Sequence, residues 1–310
     1  MSTLVRRRWP AAPALPLVAV ALLAGCAQQA AIPTGTPGTG PSPVGTQSTA
    51  SPSTPAPPAS SPAPGGSSSP TATAGSGQYT FPLLPPGAPL PSEAFCAAHV
   101  QRSSFEPRPE NAAANARVPT SAQIAGLSPW NEAIGQDPKA DQLRQQITGD
   151  FTGTTDEILQ WVACKWGVPV DVVRAQAVIE SYWRQSQQGD ATTTQSECPP
   201  GTWNGSSCYQ SYGILQIKYL YFASAWPMSR DDTAFNAEYV YGMIRACYEG
   251  WTTYLSERTP LPGYAPYKAG DLWGCLGRWY SGGWYDQGAI DYITRVKAAD
   301  SQKVWRSPGF

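Results

Sequence analysis

The sequence predicts a mainly α fold with a minor β excursion, an α+β arrangement. Three features carry that expectation. Residues Thr154–Trp183 read as consecutive helices with start and stop residues in place. Thr233–Leu255 holds a long run with helical apolar spacing, and Cys198–Ile217, rich in turn formers, breaks the pattern.

In chain order, "PSEAFCAAHV" opens on Ser92, an N-cap whose hydroxyl accepts a first-turn N–H. "TTDEILQWVACKWG" has Thr154 or Thr155 as cap and Asp156 and Glu157 in its first turn, where negative charge favours the helix dipole. Gly167 is its stop. "VPVDVVRAQAVIESYW" starts with Pro169 in the first turn. On that helix Val172, Gln176, Ile179 and Trp183 share one face, and Val173, Ala177 and Glu180 the adjacent one. Cys198–Ile217 is expected to be a small hairpin sheet turning at Asn204-Gly205. "TAFNAEYVYGMIRACYEGWTTYL" reads as a long helix, and "GDLWGCLGRWY" and "GAIDYITRVKAAD" as two more.

The organisation ahead of these elements gives a cellular address. Arg6, Arg7 and Arg8 precede a short apolar stretch, the pattern of a secretory signal over residues 1–25, too short and proline-broken to span a membrane. Leu23-Ala24-Gly25-Cys26 resembles the bacterial lipobox, which implies lipidation of Cys26 as the mature N-terminus; ordinary cleavage nearby is the alternative. Residues 26–78 are almost wholly Pro, Ser, Thr, Gly and Ala, with no charged residue between Arg8 and Glu93. Such a segment has too little apolar surface to offset its ordering entropy and is expected to be a disordered tether. It would span roughly 40 Å as a coil and roughly 150 Å fully extended. The expected location is the cell membrane, lipid-anchored, facing the extracellular or periplasmic side. The chain beyond residue 78 is long enough for one sizeable domain, expected to be a monomer.

Of seven cysteines, all but Cys26 fall in that domain, and their even number in an exported chain suggests three disulfides. Cys198 with Cys208 is the best-supported pair, because Asn204-Gly205 lies between them. Six cysteines allow fifteen connectivities, so the partners of Cys96, Cys164, Cys247 and Cys275 stay open, with Cys96–Cys164 and Cys247–Cys275 as guesses. Several chemistries drop out. A net charge of −1 gives no electrostatic footprint for nucleic acid. The single histidine, His99, supports no Ser-His-Asp or Cys-His arrangement. Bridged cysteines leave no zinc ligand set, and no phosphate-cradling glycine motif is present. Carboxylate chemistry flanked by aromatics remains, the inventory of a glycan-cleaving site.

Three stretches carry it: "AVIESYW", then "SYGILQIK", then "GRWYSGGWYDQG" followed by "IDYITRVKAA". Their order and spacing resemble the lysozyme-like superfamily, specifically soluble-lytic-transglycosylase-type domains. The matching residues are Glu180-Ser181, Gly213-Ile214-Leu215-Gln216-Ile217, Trp279-Tyr280-Ser281-Gly282-Gly283 and Tyr292-Ile293. The resemblance covers Thr155 to Ala299. It implies a lysozyme-like domain over 151–310, with 79–150 an N-terminal extension. Ser281 stands where that family usually has Asn, and the segment between Glu180 and Gly213 is longer and carries a disulfide.

The resemblance implies that Glu180 is the general acid and base cleaving the β-1,4 bond between N-acetylmuramic acid and N-acetylglucosamine, closing a 1,6-anhydro ring. Peptidoglycan strands are then the partner, and no metal or organic cofactor is implied. The residue pattern agrees: an apolar wall and the negative end of a helix dipole both raise a carboxyl's pKa. Ser181, Tyr212, Gly213, Gln216, Trp279 and Tyr280 are the candidate substrate-binding residues. Gln216 would offer its amide to an acetamido or hydroxyl group, and the Tyr280 hydroxyl would reach and orient Glu180. Gly213 would let the backbone approach a ligand or a helix, or simply form a turn. Trp203, Tyr209, Tyr212, Trp279 and Trp284 are candidates for stacking on sugar rings or for packing. Two rivals stay open: hydrolysis as in goose-type lysozymes, with Asp190 on a loop positioning water, and a non-catalytic wall-binding module.

Overall fold

Alternating caps and stops set the helical frame. In the computed structural model, which describes residues 81–130 and 135–310, the helices are α1 (Glu93–His99), α2 (Ala112–Asn115), α3 (Ser121–Ala125), α4 (Ala140–Arg144), α5 (Thr155–Trp166), α6 (Val170–Ser181), α7 (Met228–Asp231), α8 (Thr233–Tyr248), α9 (Leu272–Ser281) and α10 (Gln287–Gln302). The strands are β1 (Gln188–Thr192), β2 (Cys208–Tyr212) and β3 (Ile217–Lys218), one antiparallel sheet in that order. The fold is mainly α with a small sheet, as predicted. The expected signal segment, Cys26 and the tether lie outside the described residues, all of which belong to one compact unit.

Thr154 closes a capping box with Glu157 at the head of α5, and Gly167 ends that helix in the left-handed region at φ 62°. Pro169 caps α6 immediately afterwards. Asp232 caps α8 by accepting from the Phe235 N–H. Every residue of α8 is buried, which makes it the central helix. It packs on α5 and α9, while α10 packs on α6 and α9. The predicted long helix stops at Tyr248 rather than Leu255, because Gly250 turns the chain at φ 87° into a 3-10 turn over Thr253–Glu257.

The sheet differs from its expected form. It begins at Gln188, ten residues ahead of Cys198, and Asn204-Gly205 joins no two strands. Asn204 instead accepts from the Ser206 and Ser207 N–H groups, a local Asx turn within the excursion between β1 and β2. Asp190 sits on β1 rather than on a loop. Cys198–Cys208 forms as expected, and the pairings left open are Cys96–Cys164 and Cys247–Cys275.

Buried charge ties residues 81–150 to the helices. Lys165, on α5, pairs with Glu93 and Glu238 and donates to the Gln146 carbonyl. Glu238 also accepts from the backbone N–H groups of Thr148 and Gly149, and Arg245 donates to the Leu84 and Pro85 carbonyls. The described part of the extension therefore belongs to the packed core, bonded to the buried Lys165–Glu238 pair and to Arg245.

Candidate active site

Glu180 occupies the last turn of α6, whose Val172, Val173, Ala175 and Ala177 are buried. The helix ends in an uncommon way. Tyr182 and Trp183 both adopt positive φ, at 54° and 64°, which costs a non-glycine residue about 1 kcal/mol or more each. Their N–H groups close back on the helix, Tyr182 to the Val178 carbonyl and Trp183 to that of Ala177. The extension clamps the turn from outside: Arg108 donates to the Tyr182 carbonyl and Asn111 to that of Trp183, both at 2.7 Å. The Trp183 indole donates to the Arg174 carbonyl at 2.9 Å. Two residues past Glu180, the chain is thus fixed by partners far away in sequence.

Glu180 is half-buried, and the Tyr292 hydroxyl donates to its Oε1 at 2.5 Å. Burial pushes the carboxyl up to about 7; the Tyr292 hydrogen bond and the Arg295 charge oppose that rise, and the Asp190 charge reinforces it. Beneath it lie Gln176 and Tyr241, both fully buried, whose amide and hydroxyl atoms complete no hydrogen bond. Desolvation here outweighs what one phenol and one nearby cation return to the carboxylate.

The charge of Asp190, on β1, is felt at Glu180. Asp190, at φ 54°, turns onto the face shared by Ser211 and Lys218; its Oδ2 accepts from Ser211 at 2.6 Å and pairs with Lys218 at 3.2 Å. Gln216 spends its NH₂ on the Gly213 and Gln187 carbonyls, and its oxygen lies over Gly189, where a Cβ would come within 2.6 Å of it. That oxygen remains an acceptor.

The structure relocates several expected contacts. Tyr280 does not reach Glu180: it lies 51% exposed, its ring stacked on that of Tyr292 at 4.7 Å. The tyrosine whose hydroxyl meets Glu180 is Tyr292, on α10. The signal was present in the sequence, since Tyr292 belongs to the buried stripe Ala289, Tyr292, Ile293, Val296, where a hydroxyl needs a partner. Ser181 is buried and donates to the Ile214 and Ala177 carbonyls, so it fastens the Gly213–Ile217 segment to α6 rather than facing a ligand. Gly213 serves a helix: at φ 86°, its missing Cβ would lie 2.1 Å from Asn236 Nδ2 and 2.4 Å from the Ser229 carbonyl. Asn236 in turn bonds the Tyr212 carbonyl and the Leu215 N–H.

Tyr212, paired opposite Gln188, lies on the other side of the sheet from Ser211 and Asp190. It is buried, edge-on to Trp226, and its hydroxyl donates to the Tyr209 carbonyl. There it borders a hollow of about 370 Å³ with Gln188, Thr202, Asn204 and Arg230. Trp284 is core, its indole bonded to the Ala265 carbonyl. Trp279 is half-buried and stacks flat on Phe222 at 5.8 Å.

Among the described residues no cluster of His, Cys, Asp or Glu is arranged to hold a metal ion, and no helix is long and apolar enough to cross a membrane. No protein-family model, curated protein or solved structure matches the chain.

Proposed function

We propose that this protein cleaves the β-1,4 bond between N-acetylmuramic acid and N-acetylglucosamine in peptidoglycan, as a lytic transglycosylase. The observation that carries the reading is Glu180: a carboxyl held near pKa 7 by burial, with a single hydroxyl donor orienting it. Such a group is divided between its acid and base forms at neutral pH, which suits one residue doing both jobs.

In the first step Glu180 gives its proton to the glycosidic oxygen as the bond from that oxygen to the muramyl C1 breaks. In the second, its carboxylate takes the proton of the muramyl 6-hydroxyl while O6 bonds to C1. The product carries a 1,6-anhydro ring, no water is consumed, and Glu180 returns to its starting form. Tyr292 fixes the direction of the carboxyl. The free oxygen of Gln216 offers an acceptor to an acetamido N–H or a sugar hydroxyl, and the exposed face of Tyr280 offers a stacking surface. Secretion and lipid anchoring through Cys26 would place this activity at the outer surface of the membrane.

Hydrolysis is the second reading, favoured by the Asp190 charge felt at Glu180. Asp190 would then hold the attacking water. Mass spectrometry of fragments released from purified peptidoglycan separates the two: anhydro ends support transglycosylation and reducing ends support hydrolysis. Release of no fragments by folded, oxidised protein defeats both.

A further inference from the structure

Arg295 works against the chemistry assigned to its neighbour. Its charge draws the Glu180 carboxyl down, whereas a general acid gains from being held up. The side chain lies one turn beyond Tyr292 on α10, its guanidinium 5.2 Å from the Tyr280 ring centroid and 5.7 Å from that of Tyr292. It is exposed, and among the described residues it makes no hydrogen bond or ion pair. Asp291, one turn earlier, is the ordinary helical partner for such a cation, but its carboxylate takes the Gln287 amide at 2.8 Å. Lys218, on the sheet, is by contrast paired with Asp190. Cation–π attraction to the two parallel rings holds the guanidinium beside the catalytic carboxyl and leaves its donors unspent.

We propose that Arg295 is a receptor for a substrate carboxylate, selecting glycan strands with an acidic group beside the scissile bond over neutral ones. The inference rests on the glycan-cleaving reading of Glu180. Peptidoglycan offers this chemistry from two sources: the lactyl carboxyl of muramic acid, free where no peptide is attached, and the free carboxylates of the peptide stem. A guanidinium receives a carboxylate through two parallel charge-assisted hydrogen bonds.

Occupancy would also act on the acid. The groups facing Glu180 are Tyr292 and Arg295 from α10, Asp190 from β1 and Tyr241 from α8. A carboxylate bound to Arg295 cancels the one full positive charge in that set. The Glu180 carboxyl then rises and keeps its proton to higher pH, so substrate binding strengthens the proton donor.

Affinity is measured by calorimetry on the Glu180→Gln protein, with and without Arg295→Gln. Three probes are compared: peptide-free glycan oligomers with the free lactyl carboxyl, the same oligomers with it converted to a methylamide, and stem-bearing muropeptides. Arg295→Gln should lower the ratio of charged to neutral affinity by about tenfold. A drop seen with the free lactyl group identifies that source; a drop confined to muropeptides identifies the stem. An equal loss on all probes, or no loss on any, overturns the proposal. With Glu180 intact, Arg295→Gln should move the alkaline limb of cleavage of the methylamide oligomer upward, and an unmoved limb removes the coupling to the acid. If the charge selectivity holds while wild-type protein cleaves nothing, the enzymatic reading falls and the carboxylate site stands. Cleavage without that selectivity has the opposite meaning.

Discussion

Glu180 and Glu238 are two glutamates on buried helices, and burial pushes both carboxyls up. Their surroundings answer that cost differently. Glu238, on the central helix, meets a buried ammonium and two backbone N–H groups: Lys165, Thr148 and Gly149. Glu180 meets one phenol, while the two other polar side chains beneath it complete no hydrogen bond. Both carboxyls still rise to about 7, but Glu238 sits in an ion pair and Glu180 keeps a single hydrogen bond. A buried charge with its full set of partners is part of the structure, and one without them is available for proton transfer.

The largest expected effect breaks this comparison if it fails. Glu180→Gln should cost about 10²–10⁴-fold in release of fragments from peptidoglycan, the share general acid catalysis supplies. It should leave glycan binding and the cooperative unfolding transition in place. Near wild-type release would make Glu180 an ordinary buried carboxyl.

Glu238→Gln is the mirror experiment. Removing one side of a buried ion pair costs about 3–5 kcal/mol, so urea unfolding should shift strongly while cleavage per folded molecule holds. Loss of cleavage without loss of stability would mean that the two sites have been assigned the wrong way round.

The comparison has a pH signature. The Glu180 carboxyl has a folded pKa of about 7 against an ordinary value of 4.5, so folding favours its protonated form. Its contribution to stability is complete below the unfolded value and lost as pH rises through the folded one. At about 1.4 kcal/mol per unit, the loss between pH 4.5 and pH 7 amounts to about 3 kcal/mol. Asp232, raised to about 8, and Glu238, raised to about 7, add slopes of the same sign, so the informative quantity is the difference between wild type and Glu180→Gln. The variant should melt at a higher temperature than wild type at pH 8, with the gap closing toward pH 5. A gap that does not change with pH would place the Glu180 pKa in the ordinary range.

How much of the molecule was legible in the sequence depends on the distance between partners. The helices, their caps and the position of Glu180 follow from local rules, because Thr154, Gly167 and Pro169 act on their own turns. The disulfides join cysteines consecutive in the chain. The sheet's strand limits were not legible, since Asn204 spends its side chain on a local turn instead of joining strands. The site's supports were hidden for a different reason. Arg108 and Asn111 hold the strained turn after Glu180 from more than seventy residues away. Ser181 and Gly213 carry motif positions, yet their atoms serve Ile214 and Asn236. A motif names residues that must be near the site; only the packing says which of them face it.

The smallest effect tests that last point on two stacked tyrosines. Tyr292 and Tyr280 lie ring on ring at 4.7 Å, and only Tyr292 bonds Glu180. That bond favours the carboxylate and so holds the Glu180 pKa below what burial alone would give. Tyr292→Phe should therefore move the alkaline limb of the pH–rate profile upward. It should also lower the rate at pH 6 by about tenfold, the worth of one charge-assisted hydrogen bond that orients the acid. Tyr280→Phe keeps the stacked ring and removes a hydroxyl that Glu180 does not touch, so its profile should keep the wild-type limb. Reversal of the two results would return the orienting role to Tyr280 and require the end of α9 to move toward Glu180 when glycan binds.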